Sequence, residues 1–163
     1  MLVIRDTSVI SNLALIGRLE ILERLHDSVI IPEAVCRELG ALSNLAAVAL
    51  IENGFQAGWL SQVVPTDEEL DFAATLELDA GEAEAIAIAF KRKADVLCID
   101  EAEGRAVAME LNLPVKDLLR LLLDAKSSGH IESIASCLED LRLKARFFMT
   151  NDLVNRVLAL AGE

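Results

Sequence analysis

Short, continuous apolar runs alternate along the chain with longer segments in which apolar residues recur at helical spacing. The clearest runs are 2–4, 29–31 and 96–99, and each is too short for a helix of ordinary length. Runs without polar alternation are typical of parallel strands that helices cover on both faces. The pattern predicts an α/β fold, a three-layer α/β/α sandwich with a short, mainly parallel central sheet.

Helix-start and helix-stop signals divide the segments between these runs. Gly17, Gly40 and Gly54 mark expected helix ends, because glycine is common just after the last helical residue. Thr66 and Glu69 have the spacing of a capping box, which indicates a helix start. Short strands are also expected near 60–64 and 114–115, and helices at 9–16, 18–25, 32–39, 42–53, 66–76, 79–93, 101–111, 118–126, 131–141 and 152–161.

The charge of the chain narrows the range of functions. It has 163 residues, and 27 acidic against 15 basic residues give a formal net charge of −12. That balance argues against binding nucleic acid through phosphate neutralisation alone, and against a basic membrane-surface helix. A protein of this charge can still act on RNA if its acids bind metal, or if a basic partner supplies positive charge.

Cysteine usage and the absence of leader-like or membrane-like segments favour an intracellular protein. Cys36, Cys98 and Cys137 are widely spaced in apolar stretches, as expected for buried reduced thiols rather than a disulfide or a zinc site. The chain begins without a basic-then-apolar leader, and no apolar stretch is long enough to span a bilayer. We expect one cytoplasmic domain over residues 1–163.

Acidic residues follow the expected strands. Asp6 comes after the first clear strand and Asp100 directly after the third, while Glu38 lies in the helix after the second. Glu82 and Glu84 lie in the first turns of the long helix. Ligands of open parallel sheets bind beyond the carboxyl ends of the strands, so we expect these carboxylates in one crevice.

Carboxylates gathered in one crevice repel one another unless a cation neutralises them. An all-oxygen site of this kind suits Mg²⁺ or Mn²⁺, which can orient a water and offset charge on a phosphodiester. The alternative is that Glu82 and Glu101 are ordinary residues of helix first turns, favoured by the helix dipole. That explanation is weaker for Asp6 and Asp100. The residues alone therefore predict an acidic metal site, with phosphoryl chemistry as one use of it.

Four segments in this order resemble motifs of the PIN-domain superfamily, whose members include toxin ribonucleases of toxin–antitoxin pairs. More narrowly, 78–86 and 99–105 resemble a PIN-like branch described as predicted nucleic-acid-binding proteins, and the resemblance covers essentially the whole chain. The four segments are Asp6-Thr7-Ser8, the helix 31–39 of the form I-P-x-x-V-x-x-E-L, Glu82 with the alanines that follow it, and the strand 97–100.

The resemblance implies a Mg²⁺- or Mn²⁺-dependent endoribonuclease that hydrolyses RNA with a metal-activated water. It further implies an antitoxin-like protein partner and a homodimer, while the charge and the lack of a long apolar stretch predict no membrane association. By the same resemblance the metal-binding catalytic residues are Asp6, Glu38, Glu82 and Asp100. Supporting residues around them would be Thr7, Ser8, Glu84, Glu101 and Asp117.

The sequence departs from the branch after the last short strand, where a glycine-threonine segment is replaced by Lys116-Asp117-Leu118. Asp117 either adds a carboxylate to the crevice or caps the following helix, and the cap is the favoured alternative. Lys116 is a candidate for partly neutralising the acids. Arg105 is the best candidate for contacting substrate phosphate, and its alternative role is an ion pair with Glu101.

Two other classes of function are alternatives to the nuclease. A non-catalytic PIN-shaped scaffold that binds RNA or protein is favoured by the net charge and by the Lys116-Asp117 departure. Phosphoryl transfer through an aspartyl intermediate does not fit. The haloacid-dehalogenase-like pattern needs an aspartate at position 8, where Ser8 stands, and a receiver domain needs adjacent acids where Arg5 precedes Asp6.

Overall fold

The computed structural model describes the backbone of residues 1–163 and every side chain except that of residue 34. Its strands are β1 (Leu2–Ile4), β2 (Val29–Pro32), β3 (Leu60–Val63), β4 (Val96–Cys98) and β5 (Val115–Lys116). Its helices are α1 (Thr7–Leu15), α2 (Ile21–Leu25), α3 (Glu33–Leu39), α4 (Leu45–Ala57), α5 (Asp67–Ala73), α6 (Ala80–Lys91), α7 (Ala102–Glu110), α8 (Leu118–Ser127), α9 (Ile134–Lys144) and α10 (Asn151–Ala161).

The five strands form one all-parallel sheet in the order β3-β2-β1-β4-β5. The chain runs outward from β1 to β3, then returns across the sheet and runs outward again through β4 to β5. The direction of winding therefore reverses between β1 and β4. In open parallel sheets that reversal opens a crevice at the carboxyl ends of the two strands.

Helices cover both faces of the sheet, which confirms the predicted three-layer architecture. Successive strand residues point to opposite faces, so Leu2 and Ile4 pack into one hydrophobic cluster and Val3 into another. The first cluster includes apolar residues of α1, α8 and α9, and the second includes residues of α6 and α7. Over the residues that the structure describes, no helix is both long and apolar enough to cross a membrane.

The expected end of the fourth helix at Gly54 is wrong. Gly54 lies inside α4, and the helix ends at Gly58, whose φ of +82° suits glycine. A Cβ atom at position 54 would lie 2.8 Å from Cζ2 of Trp59. Gly54 is therefore explained by close packing of the Trp59 indole on the helix, a contact that the helix-stop rule does not take into account.

Two further expectations differ in detail. The helix expected from 131 begins only at Ile134, because Ser133 caps it by accepting a hydrogen bond from the Ser136 amide at 3.1 Å. All three cysteines are free thiols, with Cys98 and Cys137 buried but Cys36 only half-buried.

The capping box at the start of α5 is confirmed, and it anchors a buried ion pair. Thr66 and Glu69 exchange their reciprocal hydrogen bonds, and the Glu69 carboxylate also accepts from Arg92 at 2.6 and 2.9 Å. Hydrogen bonding from Arg92 lowers the pKa of Glu69 to about 2, against the opposing effect of burial. This pair joins the start of α5 to the end of α6.

We predict that Glu69→Gln lowers the free energy of unfolding by about 2 kcal/mol near pH 7, because it removes a charge-assisted bond from a buried pair. The folded pKa of Glu69 lies below its ordinary value of 4.5, so this stabilisation is present above that value and lost as the pH falls toward about 2. Urea unfolding at several pH values in this range should show that the free energies of unfolding of the parent and the variant become equal in acid.

Glu68→Gln provides the matched control for that measurement. Glu68 pairs with Lys91 at 2.7 Å, next to the Glu69–Arg92 pair, but its side chain is 78% exposed. Exposed ion pairs contribute little to stability, so the free energy of unfolding of this variant should be close to that of the parent. If the difference in free energy of unfolding between Glu69→Gln and the parent stayed constant down to acid pH, the role assigned to the Glu69 charge would be contradicted.

Candidate active site

Parallel pairing of β1 with β4 brings Asp6 and Asp100 to the same point of the sheet edge. Ile4 is in register with Cys98, and the Arg5 amide donates a hydrogen bond to the Cys98 carbonyl at 2.9 Å. Asp6 and Asp100 each follow these paired residues by two positions. The two aspartates therefore flank the crevice where the winding of the sheet reverses.

The two carboxylates differ in how firmly they are held. Asp6 is the N-cap of α1, and its Oδ1 accepts a hydrogen bond from the Ser8 amide at 2.8 Å. Asp100 is 63% exposed, and partial desolvation raises its pKa. The negative charges of Asp6 and Asp117 raise that pKa further, while Arg105 opposes them. The crevice therefore concentrates negative charge from three strand ends.

Arg105 turns toward Asp100 rather than toward Glu101. One terminal guanidinium nitrogen, Nη2, lies 3.2 Å from both the backbone carbonyl oxygen and the Oδ1 atom of Asp100. Its Nε is buried and has no hydrogen-bond partner among the described groups. Of the two alternatives for Arg105, the intrahelical pair with Glu101 is not what the structure contains, and the substrate contact stays a prediction.

Glu82 is the buried acid of the site. It lies in the first turn of α6, is only 4% exposed, and its Oε1 has no hydrogen-bond partner among the described groups. Burial raises the pKa of Glu82, and the neighbouring carboxylates of Asp79 and Glu101 raise it further. A buried carboxylate oxygen without a partner is costly, so this atom is the feature of the site that best fits a cation.

Two glycines make room around Glu82. A Cβ at Gly104 would lie 2.7 Å from Oε1 of Glu82, which shows that Glu82 points at the first turns of α7. A Cβ at Gly81 would lie 3.0 Å from the Arg5 guanidinium, which also approaches Asp79 at 3.8 Å. Sequence reasoning missed Arg5 and Asp79 as neighbours of Glu82, although the N-cap spacing from Asp79 to Glu82 was a usable signal.

Glu84 faces a different part of the molecule. It borders a cavity between α5 and α6 that is lined mainly by apolar side chains such as Leu70 and Leu78. The α6 helix therefore directs Glu82 toward α7 and Glu84 toward α5.

Glu38 reaches the crevice through a threonine. The Thr7 hydroxyl in the first turn of α1 donates a hydrogen bond to the carboxylate of Glu38 in the last turn of α3. Thr7 follows Asp6 directly, so Glu38 lies on the β2 side of the crevice. Ser8 contributes its backbone amide to Asp6, and its carbonyl accepts a hydrogen bond from Ser11 at 3.3 Å.

Asp117 combines the two roles that the sequence left open. Its Oδ1 accepts a hydrogen bond from the Arg120 amide at 2.8 Å, which makes it the N-cap of α8. Its charge also raises the pKa of Asp100. Lys116, expected to neutralise the acids in part, instead pairs with Asp124 of α8 at 2.6 Å.

The predicted acids share one edge of the sheet but do not form a ready-made cage. Among the side chains that the structure describes, no three of His, Cys, Asp and Glu converge in an arrangement that could hold a metal ion. Mg²⁺ typically keeps several waters and binds through one or two carboxylates. The repulsion between Asp6 and Asp100 and the unpartnered oxygen of Glu82 fit a hydrated divalent cation of that kind.

We predict that Glu82→Gln stabilises the protein in chelator at neutral pH, by about 1 kcal/mol or roughly 2–4 °C in Tm. The folded pKa of Glu82 lies above its ordinary value. Its favourable contribution is therefore present in acid and lost as the pH rises through the folded pKa, where the buried charge becomes a cost. Thermal unfolding in chelator measures the difference.

Glu84→Gln is the matched control, since it makes the same change two residues along the same helix without touching Gly104. Its Tm should stay close to that of the parent. A Glu82→Gln variant that melts below the parent in chelator would show that the Glu82 charge is satisfied in a way that the geometry does not reveal.

The comparison with protein families agrees with this geometry. The family model DUF3368, described as a PIN domain, matches residues 2–163. The search of curated proteins and the search of solved structures each returned no match. The match spans nearly the whole chain and confirms the superfamily indicated by the four sequence segments. The chain therefore belongs to the PIN-domain family, which has a nuclease-type fold.

Proposed function

We propose that this protein is an endoribonuclease that uses Mg²⁺ or Mn²⁺ to hydrolyse phosphodiester bonds in RNA. PIN domains are generally nucleases that use divalent metal ions. The observation that carries the proposal is the placement of Asp6 and Asp100 at the ends of neighbouring parallel strands, at the reversal of the sheet, where burial and the charge of Asp6 raise the pKa of Asp100. Repelling carboxylates at an open crevice favour a bound cation.

In this proposal Asp6 and Asp100 contact the cation directly, because their strands fix them side by side. Glu82 and Glu38 enclose it from α6 and α3, either directly or through waters. When bound, the cation would lower the pKa of a water, so that the water could lose a proton and act as the nucleophile, and would offset charge on the phosphodiester. Thr7 donates its hydroxyl hydrogen to Glu38 and so orients that carboxylate.

Arg105 gives the site its means of holding the substrate. Its guanidinium already lies beside Asp100, so it is placed to bind a phosphate oxygen next to the reacting bond. The chain as a whole carries a formal net charge of −12, which repels RNA. We therefore propose that the cation and Arg105 together recruit the phosphate, and that a basic partner assists.

The toxin role, the antitoxin-like partner, the homodimer and the cytoplasmic location are further parts of the proposal. The first three follow from the family resemblance, and the location follows from cysteine usage and from the lack of leader-like or membrane-like segments. The groove between α9 and α10, lined by residues that include Leu138, Met149 and Leu158, offers an apolar surface for either protein partner.

A non-catalytic scaffold is the second candidate function, and one observation favours it. Within the described side chains no three acids come together in a group that could hold a metal ion. A scaffold with this crevice would bind RNA or protein without turnover.

We predict that purified protein cleaves single-stranded RNA with Mg²⁺ or Mn²⁺ and not with chelator. Asp6→Asn/Asp100→Asn should reduce the rate by at least about 10³-fold, since both direct cation contacts lose their charge. Gel analysis of labelled RNA provides the measurement. Asparagine caps helices as well as aspartate does, so the variant should keep α1 and remain folded.

Glu68→Gln serves as the control for that assay, because it removes an exposed carboxylate of α5, outside the crevice, from the same chain. It should cleave like the parent. Persistent metal-dependent cleavage by the double aspartate variant would disprove the assigned site, and folded parent protein that never cleaves would favour the scaffold.

Metal binding can be tested without cleavage. We predict that Mg²⁺ at millimolar concentration raises the Tm of the parent, since a ligand that binds only the folded state stabilises it. Asp6→Asn/Asp100→Asn should lose most of this increase, while Glu84→Gln should keep it. Equal increases in all three proteins would place the ion away from the crevice.

A further inference from the structure

A cleft of about 450 Å³ lies beside the acidic crevice, at the outer edge of β5 between α7 and α8. Its volume falls within the range of about 300–1,000 Å³ that is usual for ligand pockets. Its lining has a cationic part, here called the cationic wall, and an apolar part, here called the apolar wall. The cationic wall consists of Arg105, Lys116 and Arg120, the apolar wall consists of Met109, Leu113 and Val115, and Asp117 also borders the cleft.

The cleft is continuous with the candidate active site. Arg105 lines the cleft and contacts Asp100 through Nη2, while Asp117 borders the cleft and contributes negative charge at Asp100. A polymer whose phosphate lies at Asp100 therefore has an adjoining space for the next unit of the chain. No part of the metal-binding role proposed above uses this space.

The cationic wall is held in place by a single carboxylate. Asp124 binds Nε of Arg120 at 3.2 Å through one oxygen and Nζ of Lys116 at 2.6 Å through the other. The Arg120 side chain remains 61% exposed, which leaves guanidinium N–H groups accessible from the cleft. Guanidinium groups bind phosphate oxygens through paired hydrogen bonds, so Arg120 and Arg105 suit a phosphodiester.

The apolar wall suits a nucleobase. Met109 is 63% exposed although it is large and hydrophobic, and it stands beside the buried Leu113 and the half-buried Val115. Unpaired bases stack on aromatic side chains or on arginine planes and leave their polar edges in water. The apolar wall therefore suits one face of a base, and the arginines beside it suit the phosphate of the same nucleotide.

We propose that this cleft binds one unpaired nucleotide of the RNA, next to the phosphodiester at the acidic crevice. Arg120 and Arg105 bind its phosphate, and Met109 packs against its base. The inference rests on the proposed function, and it names the part of the RNA through which the protein selects its substrate. Bases of a duplex are stacked on each other and unavailable to the apolar wall, so the cleft selects single-stranded RNA.

Binding is tested without cleavage, in the full-length Asp6→Asn/Asp100→Asn background, by fluorescence anisotropy with a labelled single-stranded RNA oligomer. Adding Arg120→Ala or Met109→Ser should raise Kd by about tenfold each. Arg120→Ala should also lower the slope of log Kd against log salt by about one. Arg120→Lys should recover part of the lost affinity, because it keeps the charge.

Arg142→Ala is the matched control, since Arg142 is an exposed arginine of α9 that lines the separate groove between α9 and α10. Its Kd should stay within about twofold of the background. Circular dichroism and Tm check that every variant is folded, as expected for substitutions at exposed positions.

The outcomes separate the cleft from the nuclease. The proposed nucleotide site is disproved if Arg120→Ala and Met109→Ser bind RNA as tightly as the background, or lose no more affinity than Arg142→Ala. This holds even if the parent cleaves RNA. Equal weakening toward duplex RNA also overturns it. Selective loss of single-strand binding supports the cleft even if the parent never cleaves, in which case only the proposed nuclease activity fails.

Discussion

The register between β1 and β4 is the constraint on which the candidate site depends. With Ile4 opposite Cys98, the residues two positions further along each strand must emerge side by side at the carboxyl edge. Those residues are Asp6 and Asp100, whose charges repel. Shifting one strand by a single residue would turn its side chains to the opposite face and separate them. The buried alternation of Leu2, Val3 and Ile4 between two cores prevents that shift.

The helices around this edge hold some of the acids by capping bonds but do not neutralise the negative charge of the crevice. Asp6 and Asp117 each cap a helix, so one oxygen of each carboxylate is occupied by the backbone. By contrast, Oε1 of Glu82 is buried without a partner, whereas Glu69, the other acid that is buried among the described residues, is fully paired with Arg92. A buried carboxylate oxygen left without a partner at the crevice is the kind of exception that a functional site commonly shows.

The sequence was sufficient for the layers of the fold and for the strand-end aspartates, because both depend on local patterns. The short apolar runs predicted buried parallel strands, and an acid just past a strand has only one edge on which to lie. Gly54 failed as a helix end because the indole of Trp59, just past the end of α4, packs where a side chain at position 54 would lie. The rule that glycine marks a helix end does not consider such packing.

The sequence also left alternatives for the partner of Arg105 and for the acid of α6, and the structure was needed to choose between them. Helical spacing allows Arg105 to meet Glu101, yet the strand end places Asp100 closer to its guanidinium. Likewise, the pattern of alanines favours Glu82 over Glu84 as the metal ligand but leaves Glu84 as an alternative. The space left by Gly104 directs the first of them into the site, and α5 receives the second.

The lengths of the two outer strands limit how the molecule can associate. On one side β5 has only two residues and follows Pro114, and on the other β3 ends shortly before Pro65. Edges so short, each next to a residue without a backbone donor, offer few free groups to a strand from another chain. Growth of the sheet across molecules is therefore disfavoured. Any lasting assembly of this protein has to be made through the side chains of its helices.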